Sequence, residues 1–170
     1  MQSISVILHL NRNDEINIRS QGYDGAKLRD DSNHRFTHFM GYLLKQDVGF
    51  DGQKNGYTTT SGIITYDSTS PNHGNGMDTS TGIFTAPKPG IYAFHFHGMA
   101  SASSSPTNVS LRHNNVQVAD SHEGSNQDQT ISMSVVLTLE QNDQVSVYLK
   151  KGQLRDRKST FTRFIGYLLF

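Results

Sequence analysis

The chain contains no cysteine, which excludes a disulfide scaffold and a thiolate zinc site alike. The lack of disulfides does not by itself assign a compartment. Net charge is missing too. Fifteen Lys plus Arg stand against fifteen Asp plus Glu, so the charge balance supports neither a nucleic-acid partner nor electrostatic attraction to a membrane. Apolar residues make up only 34% of the chain, and no run is long enough to span a bilayer. The opening MQSISVILHLNRNDE has no basic start and alternates apolar with polar residues. It does not read as a signal peptide; the leader of an exported form is expected outside it. Catalytic signatures are also absent: there is no HExxH, nucleophile elbow, phosphate-binding glycine loop or dinucleotide fingerprint. Scattered Ser, His and Asp do not make a triad, and the chain is expected not to be an enzyme.

What fills the space is Ser, Thr, Asn and Gly, with Phe, Tyr and β-branched residues recurring in clusters. That mixture suits short strands joined by exposed turns rather than a disordered chain. The 170 residues suffice for one domain with a real core and part of a second. In TGIFTAPKPGIYAFHFHG (Thr81 to Gly98), Pro87 and Pro89 set φ and bias their predecessors toward extended geometry. Gly90 releases the chain, after which Tyr92, Phe94 and Phe96 share one face while His95 and His97 share the other. A helix would scatter these aromatics, so the segment is a strand. Further strands are expected at GIITYD (Gly62 to Asp67), TNVSLRH (Thr107 to His113), VQVA (Val116 to Ala119), ISMSVVLTL (Ile131 to Leu139), QVSVYLK (Gln144 to Lys150) and FTRFIGYLLF at the end. SPNHGNG (Ser70 to Gly76) and ADSHEGSNQDQ (Ala119 to Gln129) read as loops. About ten strands with no helical pattern make an all-β sandwich or barrel, with Phe94 and Leu137 on its central, most buried strands.

The chain also resembles itself. SISVILHLNRNDEINI (Ser3 to Ile18) follows the pattern of ISMSVVLTLEQNDQVSV (Ile131 to Val147). FTHFMGYLL (Phe36 to Leu44) then repeats FTRFIGYLL (Phe161 to Leu169) with seven identities in nine. Residues 1–45 are therefore expected to be the closing strands of a partial copy, and 46–170 a complete one. The partial copy lacks the strands that would cover its apolar face and is not expected to fold alone. A tandem protein or a truncated product would both produce this arrangement.

The complete copy resembles the C1q globular domain, in the C1q/tumour necrosis factor-like superfamily. The residues that carry the likeness are Asn72, Met77, Phe84, Gly90, Tyr92, Phe94 and Phe96, supported by TG-x-FTAP (Thr81 to Pro87), VSL (Val109 to Leu111), the set Leu139, Asp143 and Val145, and the terminal F-x-GYLL. Tyr66 replaces the usual opening Phe, and Met77 a usual aromatic or Leu. The resemblance implies a jelly-roll β-sandwich that assembles as a homotrimer, with Phe84, Tyr92, Phe94, Phe96, Phe164, Gly166 and Tyr167 in the core or the trimer seam. It implies an extracellular, non-enzymatic head that binds microbial surfaces, glycans or protein receptors, as in lectin-like pattern recognition in innate immunity. A signalling or structural ligand, such as a synaptic organiser, an adipokine-like hormone or a matrix protein, is the alternative. No nucleic-acid partner and no membrane insertion are expected. The collagen-like Gly-x-y stem of many relatives is not seen in this chain.

Several residues attract chemistry. By the resemblance, Asp120 and Asp128 match acidic positions with which some trimeric relatives hold calcium, a hard cation suited to carboxylate oxygens; a solvated acidic loop is the plain alternative. His95 and His97 supply two zinc-type ligands, too few without others, and a packed pair at a seam would respond to acid. In KKGQLRDRK, the basic Lys150, Lys151, Arg155, Arg157 and Lys158 form a loop that meets a polyanion or acidic sugar, or is simply solvated. Asn108-Val109-Ser110 is an N-glycosylation sequon for an exported chain.

Overall fold

Alternating apolar and polar side chains commit most of the chain to strands. A computed structural model describes residues 8, 10–18, 47–102, 105–124, 127–156 and 161–170. Residues 10–18 belong to a unit separate from the strand-bearing one. The described strands are β1 (Gly49–Lys54), β2 (Gly62–Ile63), β3 (Ser68–His73), β4 (Met77–Asp78), β5 (Ile83–Thr85), β6 (Gly90–Ala100), β7 (Thr107–His113), β8 (Val116–Glu123), β9 (Gln129–Leu139), β10 (Gln144–Lys151) and β11 (Thr162–Leu168). They form two antiparallel sheets, one ordered β3-β1-β11-β6-β9 and the other β4-β5-β10-β7-β8, with β2 also on β10. This is the all-β jelly-roll sandwich.

The aromatic alternation builds the core. Tyr92, Phe94 and Phe96 on β6 pair with Leu168, Gly166 and Phe164 on β11, and all of them are buried. Phe84, from the opposite sheet, stacks on Phe50 at 4.9 Å between ring centroids and meets Phe94 edge-on at 5.5 Å. Phe164 closes the cluster against Phe50 at 5.0 Å. Each such ring contributes about 1.5–3 kcal/mol by leaving water. Phe84, Tyr92, Phe94, Phe96 and Phe164 thus lie between the sheets. Tyr167, two positions past Ile165 on the outward row of β11, instead stacks on His95.

The stiff Ala-Pro-Lys-Pro-Gly entry has a local explanation. The Tyr92 hydroxyl donates to the Lys88 carbonyl at 2.8 Å, tying the strand back onto the turn. Ala86 N–H donates to Asp143 O, and Asn142 N–H to Ala86 O, each at 2.9 Å, so this turn docks on the β9–β10 turn. A Cβ on Gly90 would stand 2.9 Å from the Phe170 carbonyl oxygen, which accepts the Ile91 N–H. Only glycine permits that approach. Asn72 has a comparable role: its amide donates to Met77 O at 2.9 Å and accepts Met77 N–H at 3.2 Å, clamping the turn between β3 and β4.

Four expectations need correction. SPNHGNG is not all loop, since Ser70 to His73 lie on β3; Pro71 is tolerated there because β3 is a sheet edge. GIITYD forms a strand only at Gly62–Ile63. VQVA continues to Glu123, so Asp120 sits on a strand. Leu137 is only partly buried, and among the described strands β9 ends its sheet. In the smaller unit, residues 10–18 make a turn and no strand, with Leu10, Ile16 and Ile18 exposed.

Candidate functional site

The polar chemistry singled out in the sequence lies on the outward faces and connections of the sandwich. Asp120 and Ser110 are cross-strand partners, and Lys150 reaches the same patch from β10. Its Nζ lies 2.8 Å from Asp120 Oδ1, and Asn108 Nδ2 donates to Asp120 Oδ2 at 3.3 Å. Asp128 accepts the Ala102 N–H at 2.9 Å and pairs with Arg155. The two acidic positions and two of the basic ones are therefore each other's partners. Lys151 is exposed beside them, whereas Arg157 and Lys158 lie outside the described residues.

This arrangement does not make a calcium cradle within one chain. Each carboxylate already holds a cation and an N–H donor, and no three metal-ligating side chains converge among the described residues. A divalent ion would have to displace Lys150 and Arg155. The same ion pairs reduce the free positive charge that an acidic ligand would meet at the basic run.

The H-x-H pair is a packed device. His95 Nδ1 meets Ser134 Oγ at 2.9 Å and Nε2 meets Tyr167 Oη at 3.3 Å, with the two rings stacked at 5.9 Å. Burial, and secondarily the neighbouring His97, pushes the His95 pKa below its ordinary value. His97 Nδ1 donates to the Phe161 carbonyl at 2.8 Å. Beside them, Arg163 pairs with the buried Asp51 through Nε and Nη2, the former at 3.0 Å.

Asp143 organises the turns. It accepts from Asn114 Nδ2 at 2.8 Å and Glu140 N–H at 3.0 Å, and His113 Nε2 lies at 2.9 Å. These bonds hold its carboxyl down at about 2, with the Asn114 amide the largest cause. The role is structural, joining the β7–β8 and β9–β10 turns.

Two further residues escaped sequence reasoning. Arg112 on β7 lays its guanidinium 3.6 Å above the Tyr148 ring of β10. No motif marks the pair, and only the β7–β10 register, in which Tyr148 faces Ser110 and Ser146 faces Arg112, brings them together. Asn108 occupies the same outward row of β7, with its amide nitrogen held by Asp120.

With this geometry established, comparison with known proteins is decisive. The C1q domain family model matches residues 50–169. The chain belongs to the C1q domain family. Caprin-2 of Danio rerio is 36% identical over 109 residues, covering 63% of this chain and 12% of that protein. Complement C1q tumor necrosis factor-related protein 3 of Mus musculus is 37% identical over 112 residues, covering 65% of this chain and 45% of that protein. The chain thus spans less than half the length of either relative. Among solved structures, the globular domain of zebrafish complement 1qA protein superposes with a TM-score of 0.58 at 20% identity, covering 72% of this chain and 98% of that one. Eiger TNF from S. frugiperda does so at 0.55 and 15% identity, covering 70% and 89%. These two structures share the fold. No helix among the described residues is long and apolar enough to cross a membrane.

Proposed function

We propose that this C1q domain is a non-enzymatic, extracellular recognition module that acts as a homotrimer on glycans, microbial surfaces or protein receptors, with a role in innate immunity. The observation that carries the reading is the C1q match over residues 50–169, laid on a sandwich whose core is filled by aromatic rings. A core so filled leaves recognition to outward faces and connections. Exposed apolar side chains support self-association: Val116 and Val118 lie on edge strand β8 and Val136 on edge strand β9. Apolar side chains exposed on strands that end their sheets among the described residues are normally covered, and a cyclic assembly of identical copies covers them. Three heads would also turn weak single contacts into avidity.

The test is light scattering of the purified chain at micromolar concentration, followed by a glycan array and a cell-surface receptor screen. A trimer with glycan hits supports the recognition reading. Receptor hits alone favour the signalling alternative, which the tumor necrosis factor-related name of one relative also supports. A stable monomer would sink the trimeric model. Calcium at Asp120 and Asp128 is part of the proposal only through displacement of Lys150 and Arg155. A calcium titration that raises the melting temperature supports it, and an unchanged melting temperature argues against it.

We also infer that the segment before residue 46 is a partial second copy. The support is a matched turn: Asp14 N–H donates to Asn11 O and Asp143 N–H to Glu140 O, both at 3.1 Å. The Asp14 and Asp143 carboxylates accept the Asn11 and Glu140 N–H groups at 2.7 and 3.0 Å. Asn13 and Asn142 share a φ of 73°. Residues 1–45 produced alone are expected to be degraded in limited proteolysis, and their resisting it would contradict the reading.

A further inference from the structure

We propose that Arg112, held on the Tyr148 ring, docks the carboxylate or sulfate of an acidic glycan on the outward face of the six-stranded sheet. The inference deepens the recognition reading by naming a site and a ligand chemistry. Among the described residues of the strand-bearing unit, Lys54, Lys88, Lys150, Arg155 and Arg163 each face an aspartate. Arg112 faces none. Its Cζ lies 3.6 Å from the Tyr148 ring centroid, a stacking that aims the planar fork and restrains it before any ligand arrives. Of its nitrogens only Nε is enclosed without a partner, which leaves the Nη edge as the one open to an approaching anion. A carboxylate or sulfate presents two oxygens at the spacing such a fork takes up in paired, charge-assisted hydrogen bonds.

The surroundings favour a sugar over a peptide. β7 is flanked by β10 and β8, so it has no free edge on which an extended peptide could add as a strand. Along the same outward row, Asn108 Oδ1 and Ser110 Oγ are enclosed without a hydrogen-bond partner and Ser146 is buried, while the exposed Gln117 faces Arg112 from β8. An exposed amide beside a guanidinium without a carboxylate suits a polyhydroxylated acid. The Lys150–Asp120 pair nearby is self-neutralised, so Arg112 and the exposed Lys151 are the described cations of that sheet left without an aspartate, and Arg112 is the one held on a ring. Within the basic run seen in the sequence, Lys150 and Arg155 are in this respect weaker anchors than the arginine outside it.

The test uses the full chain produced without glycosylation, because a glycan on Asn108 would stand about 13 Å along the same strand. Binding is measured to immobilised sialyllactose and to a heparin-derived hexasaccharide, each beside its desialylated or desulfated counterpart. Wild type is expected to bind at least one acidic probe, and to bind its neutral counterpart roughly tenfold more weakly or worse. Which probe binds distinguishes carboxylate from sulfate. Arg112→Gln should lose the same factor, and Arg112→Lys should recover little of it, because the charge remains but the fork does not. Lys88→Gln, in the distant turn, should bind as wild type does. Full affinity in Arg112→Gln, or full rescue by Arg112→Lys, would overturn the inference, and either folded variant suffices to decide. Equal binding of acidic and neutral probes by wild type would overturn it as well. The trimer measurement and receptor screen would be untouched by that result.

Discussion

Gly166 is the position where one added methyl group should do most damage. It lies on β11 between β1 and β6, and a Cβ there would stand 2.4 Å from Phe50 Cε1 and 2.7 Å from both Cδ1 and Cε1 of Phe94. Neither ring can easily retreat. Both are fully buried; Phe50 is stacked on Phe84 at 4.9 Å and set edge-on to Phe164 at 5.0 Å, and Phe94 stacks on Phe164 at 5.9 Å. Gly166→Ala is a small-to-large change in a close-packed core, and such overpacking costs about 1–3 kcal/mol. With two rings obstructed at once the upper end applies, and the lower backbone entropy of unfolded Ala offsets only about 0.4–1 kcal/mol. A net loss of about 2 kcal/mol should lower the melting temperature by roughly 4–8 °C in a chain of this size. Differential scanning calorimetry at fixed protein concentration is the assay, since assembly would otherwise shift the midpoint. Gly124→Ala is the control, because a Cβ there meets nothing within 4 Å. Phe50→Leu in the Gly166→Ala background should cost less than Phe50→Leu alone, because the shorter side chain relieves the clash. A Gly166→Ala protein that melts with wild type would refute the packing argument.

Two pH predictions follow from the titratable groups. The Asp143 carboxyl lies at about 2 in the fold against 3.8 ordinarily, so its contribution is complete above about pH 4 and fades as pH falls through about 2. The urea midpoint of wild type should exceed that of Asp143→Asn at about pH 5, and the gap should close towards about pH 2; a constant gap would contradict the assignment. His95 is depressed below 6.5, so the unfolded chain takes up its proton first and stability declines as pH falls through 6.5 and below. His95→Gln should flatten the melting temperature between about pH 7 and 5, and an identical slope in both proteins would count against it.

The parts of the fold legible in the sequence were those where one strand face repeats a chemistry. Tyr92, Phe94 and Phe96 revealed a buried face because period-two aromatics have no other arrangement that hides them all. Strand ends were less legible. Pro71 and the turn residues around it suggested a loop, but an edge strand needs only one set of ladder bonds and accepts a proline. Leu137 has the same alternation as a central residue, and only sheet order, which no local pattern encodes, puts β9 at the rim.

The candidate site was least legible because pairing is a long-range property. Lys150 and Asp120 are thirty residues apart and Arg155 and Asp128 twenty-seven, so an acidic segment and a basic segment that read as two separate sites share two ion pairs. Charge density along the chain does not reveal that these four side chains neutralise one another. The same reasoning identifies the exception. Arg112 stands in no charge run, its neighbours in sequence are Leu111 and His113, and nothing local distinguishes it. Every other described cation on the sandwich except the exposed Lys151 is matched to a carboxylate. Of the two cations left over after pairing, Arg112 is the one already held in place by a ring, so it has electrostatic free energy still to gain from a ligand at less cost in side-chain ordering.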